Sequence, residues 1–409
     1  MDAKQASIKK TRSGRERKAI YGDIKDLRKE YREREKQYVS TLVSGSKVVL
    51  ATLHGAGGHQ LRHENFDVVI IDEASQALEA QCWIPLLNAK KVVLAGDHLQ
   101  LPPTIKSQPR PSKTAKSTSP QSPGLETTLF DRLLALHGPN IKKMLTTQYR
   151  MHTQIMTYPS LSLYSSALIA APSVASRLLT TLPYPVEDTE DTRYPLIFYD
   201  TQGGSFPEDV APEAEEVRKG KLKAMMSESK SNHAEALLVL RHLRSLLSAG
   251  VKASDIALLT PYNAQLALLC SLLPTIISNP TNAKTSPDPA LDEAELSKVE
   301  IGSIDGFQGR EKEVVILSLV RSNEEHEIGF LGEKRRLNVA MTRARRQLVV
   351  VGDADTIGGS AGRGGHSGGK KETGNGSGGE ESEGRKFLTE WLCFLEQEAE
   401  LRYPDFSDL

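Results

Sequence analysis

The chain has 409 residues, with 52 Lys and Arg balanced by 52 Asp and Glu, and 38% of its residues are hydrophobic. This length suits two or three domains, and the composition is that of a folded, soluble protein with some low-complexity inserts. There is no run of about 18 apolar residues, and the polar N-terminus lacks the apolar core of a signal peptide, so we expect neither a membrane span nor a leader. Three widely separated cysteines, Cys82, Cys270 and Cys393, predict a reducing compartment without a zinc site.

The first predicted element is a long, charged helix over residues 15–45, continued from a basic N-terminal arm. Residues 1–47 hold 14 Lys and Arg against 7 Asp and Glu. The basic excess is either a solvated helix face or an arm that lies near a phosphate backbone. The apolar side chains form one narrow stripe, which suits a stalk better than a core helix: Ile24, Leu27, Tyr31, Tyr38 and Leu42.

A first α/β pattern follows the stalk. Short apolar runs predict three strands, at 48–52, 66–74 and 91–97, and helices are predicted at 75–87 and 125–136. Buried strands that alternate with helices indicate a parallel sheet. In such sheets, ligands bind at the carboxyl ends of the strands.

A second α/β pattern begins near residue 194. Its helix is predicted at 232–249, and strands are predicted at 195–200, 255–261, 299–304, 313–320 and 347–353. Polar stretches at 203–230 and 278–296 read as loops, and the Gly/Ser-rich residues 357–384 cannot bury a core. A last helix, 385–400, carries Phe387, Trp391, Leu392 and Leu395 on one side.

Acidic and amide side chains follow two of the first strands. DEASQ places Asp72 and Glu73 at one strand end, and GDHLQLPP places Asp97 and Gln100 after the next. Paired carboxylates suit a hydrated Mg²⁺ ion and a water molecule that must lose a proton. Alone, an acidic pair is more often solvated surface, but two such ends about twenty residues apart are more informative.

Arginines stand out in three later segments. TTQYRMH contains Arg150, GFQGREKEVVI presents Glu311 after the flexible Gly309, and LNVAMTRAR contains Arg343 and Arg345 between a helix and a strand. A guanidinium group can stabilise the charge on a phosphoryl group during its transfer. Each arginine taken separately is equally well explained by an ordinary ion pair or by the helix dipole.

Six segments in a fixed order carry a family resemblance: DEASQ, GDHLQLPP, QYRMH, TPYNAQ, GFQGREKEVVI and LNVAMTRAR. Together they resemble the superfamily one helicases of the Upf-like group. In detail they are similar to the immunoglobulin-mu-binding-protein-like members, including the fungal DNA helicase A type. The resemblance covers about residues 15–356, apart from the inserts.

The resemblance implies ATP and Mg²⁺ as cofactors, and it assigns roles to residues that match the family's motifs. Asp72 would coordinate Mg²⁺, Glu73 would orient the attacking water, and Gln100 would sense the γ-phosphate. Arg150 and Arg343 would act as arginine fingers from across a cleft. The remaining nucleotide-site residues would be Tyr149, Glu311, Asp97 and Gly309.

The resemblance also implies a nucleic-acid partner. Thr52 and His54, in ATLHGAG, and Thr260 and Tyr262, in TPYNAQ, match segments that hold single-stranded DNA or RNA at strand ends. Hydroxyl groups and backbone amides there would contact phosphates without reading the base sequence. The further expectations are 5′-to-3′ movement, replication or ribosome-associated protein partners, a monomer, and a nuclear or cytoplasmic location.

One departure from the family pattern concerns the P-loop, G-x-x-x-x-G-K-[ST]. The nearest match, GGHSGGKK at residues 364–371, ends in Lys and lies in the Gly/Ser-rich stretch, outside a strand–loop–helix context. The glutamine motif that reads adenine and the barrel insert of the family are missing too. Since the P-loop holds the β- and γ-phosphates, this polypeptide is expected to hydrolyse ATP poorly.

The expected architecture is α/β, with two RecA-like P-loop NTPase domains, the first incomplete, and a long N-terminal stalk helix. The incomplete first sheet is expected to leave an exposed apolar face. The predicted ranges are 1–46 for the basic segment with the stalk helix, 47–185 for the first domain with a disordered insert at 107–124, 190–356 for the second domain, 357–384 for the linker, and 385–409 for a C-terminal helix and tail.

Two functional classes stay open, and a third fits poorly. The first is a helicase motor of which this sequence holds most. The second is a non-catalytic remnant that binds nucleic acid or a partner. A P-loop nucleotide kinase or GTPase is disfavoured, because such enzymes do not need two arginine-bearing motifs on a second α/β unit.

Overall fold

The computed structural model describes residues 8, 12–105, 124–209, 229–275, 293–359 and 378–408. The chain forms two compact units: Met1–His98 with Pro102–Lys142, and Leu99–Leu101 with Lys143–Leu409. The predicted insert at 107–124 and the GGHSGGKK segment lie almost wholly outside the described residues. None of the described helices has the length and apolar character needed to cross a membrane.

In its described part, the first unit has four helices and a pair of parallel strands. Their bounds are Gly14–Gly45 (α1), Leu53–Ala56 (α2), Phe66–Ile71 (β1), Glu79–Leu86 (α3), Ala89–Leu94 (β2) and Leu129–His137 (α4), with 3₁₀ turns at Ala74–Gln76 and Gly138–Ile141. β1 pairs with β2 in parallel, as predicted, with Val69 opposite Val92. Apolar side chains of both strands are exposed, Ile70 and Val93 among them, which agrees with the expected apolar face.

The long helix α1 confirms the predicted stalk helix. Ser13 caps its N-terminus, and the Arg34 guanidinium lies 2.6 Å from the Glu30 carboxylate one turn earlier. On the predicted apolar stripe, Ile24 is buried, whereas Tyr31 and Tyr38 are exposed. Because these tyrosines are exposed, the stripe contributes little to the core of this unit. The Arg34–Glu30 pair is also exposed, and such an i,i+4 pair stabilises a helix by only roughly 0.3 to 0.5 kcal/mol.

The strand predicted at 48–52 is wrong. Val48 and Leu50 are exposed, and the segment pairs with none of the described strands. β-Branched residues favour an extended backbone, but a strand also needs a neighbour for its amide and carbonyl groups. Thr52 takes another local role, because its hydroxyl accepts a hydrogen bond from the Gly55 amide, at 3.0 Å, and caps α2.

The helix predicted at 125–136 starts later than expected, at Leu129. Thr128 caps it: the Thr128 hydroxyl accepts from the Asp131 amide at 3.1 Å, and the Asp131 carboxylate accepts from the Thr128 amide at 3.4 Å. This reciprocal capping box satisfies two amides that the first helical turn cannot bond itself.

The second unit contains eight helices and eight strands among its described residues. The helices are Thr153–Leu163 (α5), Glu190–Arg193 (α6), His233–Ser248 (α7), Asn263–Leu272 (α8), Glu293–Leu296 (α9), Lys334–Met341 (α10), Ala354–Gly358 (α11) and Gly378–Glu398 (α12). The strands are Thr147–Gln148 (β3), Ile169–Ala170 (β4), Leu196–Asp200 (β5), Ile256–Thr260 (β6), Glu300–Ser303 (β7), Lys312–Ser318 (β8), Ala344–Gly352 (β9) and Glu400–Arg402 (β10).

Six of these strands form one sheet, in the order β10-β5-β9-β8-β6-β7, and every pairing in it is parallel. Ile316 of β8 lies opposite Val349 on one side and Leu258 on the other, and all three side chains are fully buried. One apolar core includes α12 with Trp391, and the other includes α7 with Leu243. Helices on both faces of a parallel sheet explain why its strands are continuous apolar runs.

The boundary between the units differs from the expected one. Residues 143–185 belong to the second unit, and so does the C-terminal segment, which was expected to be a separate helix and tail. Tyr158 of α5 donates a hydrogen bond to the Phe387 carbonyl of α12 at 2.6 Å, inside the core of the second unit. Strand β10 was missed, because three residues carry no alternation and only their pairing with β5 identifies them.

A buried polar cluster joins α7 to the end of β8. The Glu235 carboxylate, fully buried, accepts hydrogen bonds from the Ser318 hydroxyl at 2.7 Å and the Val320 amide at 2.9 Å. Asn232 caps α7 and donates to the Val320 carbonyl at 3.3 Å. These bonds hold Val320 at a φ of 74°, which is costly for a β-branched residue.

Burial raises the pKa of Glu235 to about 8, because its hydrogen bonds offset only part of the cost of desolvating a charge. Between the unperturbed pKa of 4.5 and this value, the folded protein keeps a proton that the unfolded chain has lost. The contribution to stability is therefore complete below pH 4.5, falls as the pH rises, and levels off above about 8.

We expect the free energy of unfolding to fall by about 1.4 kcal/mol per pH unit from this group as the pH rises towards 8. Glu235→Gln removes the titrating proton and should flatten that slope. Urea unfolding at pH 6, 7 and 8 would measure it, with the exposed Glu396→Gln as the control. Equal slopes in the Glu235→Gln variant and the parent would contradict the assignment.

Candidate nucleotide and nucleic-acid sites

The acidic pair of the first unit lies directly after β1. Asp72 is exposed, and its Oδ1 accepts a hydrogen bond from the Glu73 amide at 3.0 Å. Glu73 has a φ of 52°, in the left-handed region, and its carboxylate accepts from the Gln76 side chain at 2.7 Å. A left-handed residue other than glycine is often found where a side chain must be aimed at a ligand.

The end of β2 reaches the same turn, as expected for neighbouring parallel strands. The Asp97 amide donates to the Ser75 hydroxyl at 3.1 Å. Gly96 makes this approach possible, because a Cβ atom there would lie 3.0 Å from the Ser75 nitrogen. The structure therefore brings Asp97 close to the DEAS segment.

The predicted metal ligand fits only as part of a larger site. Within the described part of the chain, no group of three or more His, Cys, Asp or Glu side chains could hold a metal ion. Mg²⁺ commonly takes one or two protein carboxylates and completes its shell with water and phosphate oxygens. The exposed Asp72 carboxylate fits that arrangement as a single ligand.

In the second unit, four arginines and two glutamates form what we call the arginine–glutamate cluster: Arg150, Arg177, Glu311, Glu313, Arg345 and Arg346. Arg150 pairs through Nε with one oxygen of Glu311, and Arg345 pairs with the other oxygen. Arg150 also donates to the Thr342 carbonyl at 3.0 Å. The predicted finger Arg150 and the predicted nucleotide contact Glu311 are thus direct partners.

The rest of the cluster extends this network. Arg345 donates to Glu313 at 2.8 Å, and Arg346 donates to the other Glu313 oxygen at 2.7 Å. Arg177 donates to the Arg150 carbonyl, while its buried Nε has no hydrogen-bond partner among the described residues. With four guanidinium groups and two carboxylates, the cluster carries a formal excess of positive charge.

Ionisation of the cluster follows from its packing. Burial opposes the charge on Glu311, but hydrogen bonds from Arg345 and Arg150 outweigh it and lower the pKa of the carboxyl group. Burial also lowers the pKa of Arg177, and the nearby Arg345 and Arg346 add to this effect. Glu311 is therefore charged at neutral pH and balances part of the arginine charge.

Arg343, the second predicted finger, is almost fully buried. Its Nε donates to the Val339 carbonyl at 2.9 Å, and its Nη2 donates to Gln100 Oε1 at 3.3 Å. Gln100 lies in the short segment Leu99–Leu101 that packs with the second unit. The structure thus brings the predicted phosphate sensor and a predicted finger into direct contact.

The other predicted nucleotide-site residues differ in their surroundings. Tyr149 is largely exposed, next to Arg150. Gly309 has a φ of 79°, which explains the need for glycine in the loop before β8. Arg343, Glu311 and Arg345 lie at the amino ends of β8 and β9, so this part of the site occupies one edge of the sheet.

The predicted nucleic-acid segments are placed unequally. His54 is exposed in α2, and Thr52 caps that helix. Thr260 and Tyr262 follow β6 at the opposite, carboxyl edge of the second sheet, and both side chains are buried. Burial raises the pKa of the Tyr262 hydroxyl, and the nearby Arg321 guanidinium opposes this shift. A single nucleic-acid strand bound at this edge would therefore contact the exposed residues that surround Thr260 and Tyr262 rather than these two buried side chains.

Several cluster residues were not among the predicted site residues. Arg345 lies in the recognised LNVAMTRAR segment, and its alternation with Arg343 could have indicated a shared location. Arg177 lies 27 residues after Arg150, and nothing in its sequence neighbourhood points to the site. Its role is visible only once β3, β4 and α5 have folded onto the second sheet.

The sequence matches two family profiles, both described as an AAA domain, over residues 125–355 and 1–108. The DNA polymerase alpha-associated DNA helicase A of Schizosaccharomyces pombe is 46% identical over 357 residues, which cover 87% of this chain and 48% of that protein. The Saccharomyces cerevisiae protein of the same name is 40% identical over 417 residues, covering 98% and 52%. Mouse DNA-binding protein SMUBP-2 is 44% identical, covering 85% and 31%. The chain thus spans about half the length of the two yeast relatives and less of the mouse protein.

Gly309→Ala should lower the free energy of unfolding by about 1 to 2 kcal/mol, because a Cβ atom disfavours the left-handed backbone. No atom lies within 4 Å of that Cβ position, so the loss is conformational rather than steric. Gly309→Asn is the matched control, since asparagine tolerates this conformation better. Urea unfolding would compare the two, and an equal loss in both would contradict this explanation.

Proposed function

Because the chain belongs to the Upf-like superfamily one helicases, a family of ATP-dependent enzymes, we propose that it works as part of an ATP-driven motor that moves along single-stranded DNA or RNA. One observation carries the proposal for the nucleotide side. Arg150 and Arg343, which lie 193 residues apart, converge at the amino ends of β8 and β9 beside Glu311 and Gln100. Arginines gathered at one edge suit a charged phosphoryl group during transfer.

The proposed roles follow the residues' chemistry. Asp72 would supply a carboxylate to Mg²⁺, and Glu73 would orient the attacking water. Mg²⁺ would neutralise charge on the β- and γ-phosphates when the nucleotide is bound. Gln100, already bonded to Arg343, would report the γ-phosphate to that arginine. Arg150 would exchange part of its bond with Glu311 for the phosphate.

The remaining predicted nucleotide contacts have supporting roles. Tyr149 would line the nucleotide site from its exposed position beside Arg150. Asp97 would lie near the phosphates, because its amide is bonded to the turn that carries the acidic pair. Gly309 would allow the loop before β8 to present Glu311.

The nucleic-acid partner is proposed to be a single strand of DNA or RNA, and Thr52, His54, Thr260 and Tyr262 are proposed to lie near its phosphates. The motor is proposed to move along this strand in the 5′-to-3′ direction. Relatives named as DNA polymerase alpha-associated helicases support replication proteins as partners. We further propose that the protein is a monomer, that it has ribosome-associated partners, and that it lies in the nucleus or the cytoplasm.

The second candidate function is non-catalytic binding of nucleic acid or a partner by this polypeptide. The observation in its favour is that these 409 residues contain no G-x-x-x-x-G-K-[ST] segment. The P-loop amides and lysine provide much of the grip on the β- and γ-phosphates. Arginines alone do not enclose a triphosphate.

We expect the 409-residue polypeptide to release phosphate from ATP at close to the background rate, with or without single-stranded DNA. Its affinity for a single strand should fall as the salt concentration rises, because phosphate contacts release counterions. A phosphate-release assay would measure ATP turnover, and fluorescence anisotropy at roughly 50 and roughly 200 mM salt would measure the affinity for the single strand. Robust turnover would refute the expected impairment, and absence of strand binding would refute the motor proposal and the nucleic-acid form of the second candidate function.

In a version to which a segment carrying G-x-x-x-x-G-K-[ST] has been added, Arg343→Ala should lower ATP turnover by roughly 10³-fold. Arg343→Lys should lose most of this too, since lysine lacks the guanidinium fork. Arg193→Ala, at an exposed arginine, is the control. Circular dichroism would confirm that each variant is folded. Full turnover in a folded Arg343→Ala variant would remove Arg343 from the mechanism.

A further inference from the structure

The carboxyl edge of the second sheet presents an aromatic ring that the proposed function leaves unused. Phe330 lies in the 3₁₀ turn Gly329–Gly332, which follows β8. Its side chain is 46% exposed, whereas the neighbouring Tyr262 is 2% exposed. A large apolar ring left half open to water at a strand end has its own surface available for contact.

The ring has a firm support beneath it. The Phe330 and Tyr262 ring centroids are 5.6 Å apart, with the rings tilted by 52°. Gly329, at a φ of 52°, presses the backbone against this support, since a Cβ atom there would lie 2.9 Å from the Tyr262 hydroxyl and 2.8 Å from Arg321 Nη1. A larger residue at position 329 would be strained by this φ and would have to displace these two side-chain groups.

The loop that leads to the ring is braced by buried polar groups. Arg321, 5% exposed, lies 2.9 Å from the Glu208 carboxylate. Ser322 donates to Asp353 at 2.7 Å, and the Asn323 amide donates to the Thr356 hydroxyl at 3.0 Å. A surface that is already rigid loses little conformational entropy when a ligand binds to it.

A cation accompanies the ring. The Arg336 guanidinium lies 5.3 Å from the Phe330 ring centroid and is held by Asp305, at 2.8 Å, and by Glu333, at 2.6 Å. Aromatic rings with an adjacent arginine form the usual platform for bases of single strands, because every base offers a π-face. The combination is tolerant of base sequence.

We propose that Phe330 is a stacking platform for one nucleobase of a single strand that lies along the carboxyl ends of β6 and β8. This inference rests on the proposed function and adds to it a residue that contacts the base rather than the phosphate. It also gives the buried Tyr262 a role, as the support of the ring that touches the strand.

The test compares Phe330→Ala with the parent chain on two oligonucleotides of equal length, one with bases and one abasic at every position. Fluorescence anisotropy gives the dissociation constants. Loss of one stacked base should weaken binding to the base-bearing strand roughly ten-fold, or about 1.4 kcal/mol, and leave binding to the abasic strand unchanged. Phe330→Trp should retain the parent affinity.

Phe406→Ala is the matched control, because Phe406 is 45% exposed and follows β10 at the far side of the same sheet. Its binding should equal that of the parent chain.

An equal loss of affinity for both oligonucleotides in Phe330→Ala would mean that the ring only supports the fold. No loss of affinity for either oligonucleotide would mean that the ring does not contact the nucleic acid. Each of these results overturns the platform while leaving strand binding intact. Failure of the parent chain to bind any strand overturns the proposed function as well.

Photocrosslinking gives an independent readout. An oligonucleotide with 5-iodouracil, irradiated on the full chain, should crosslink within residues 322–334, the tryptic peptide that contains Phe330. The crosslink should disappear in Phe330→Ala and persist in Phe406→Ala. Crosslinks confined to other peptides would exclude a base at this ring.

Discussion

The Glu311 carboxylate, shared by two guanidinium groups, is the interaction on which the arginine edge of the second unit depends. Arg150 takes one of its oxygens and Arg345 the other. Arg150 arrives from the segment around β3, and Arg345 from the start of β9, so a single side chain joins two distant parts of the sequence. Without that counter-charge, neighbouring arginines would repel one another and take separate positions.

The two proposed activities occupy opposite edges of one sheet. The arginine–glutamate cluster lies at the amino ends of β8 and β9, while Thr260, Tyr262 and Phe330 follow the carboxyl ends of β6 and β8. Parallel strands make this separation possible, because all their amino ends share one edge and all their carboxyl ends share the other. The buried Glu235 and Asn232 determine the carboxyl side by holding Val320, where the chain leaves β8.

Much of the second unit could be predicted from the sequence, because its strands are apolar runs buried on both sides. Five of its strands and helix α7 lie close to the predicted positions. The pattern failed where local residues do not decide the outcome. Residues 48–52 favour an extended backbone but find no partner, and β10 exists only because β5 accepts it. Residues 143–185, which include α5, were expected in the first domain and belong to the second unit.

The site was predictable in its residue types and less so in its contacts. Motif order indicated Arg150, Glu311 and Arg343, but not that Arg150 would pair with Glu311 or that Arg343 would be buried. Arg177 and Phe330 were missed for a different reason: one acts through the carbonyl of another residue, and the other depends on the exposure of a ring. Exposure and backbone contacts are set by tertiary packing, and the neighbouring sequence contains no pattern that predicts them.

The buried position of β8 has a mechanical consequence. Residues 314–317 of this seven-residue strand pair with β6 on one side and β9 on the other, so the strand cannot lengthen or slide without breaking both ladders. At about 3.3 Å per residue it is a stiff rod of roughly 20 Å. The two ladders therefore hold Glu311, just before the strand, and Val320, just after it, at a nearly constant separation.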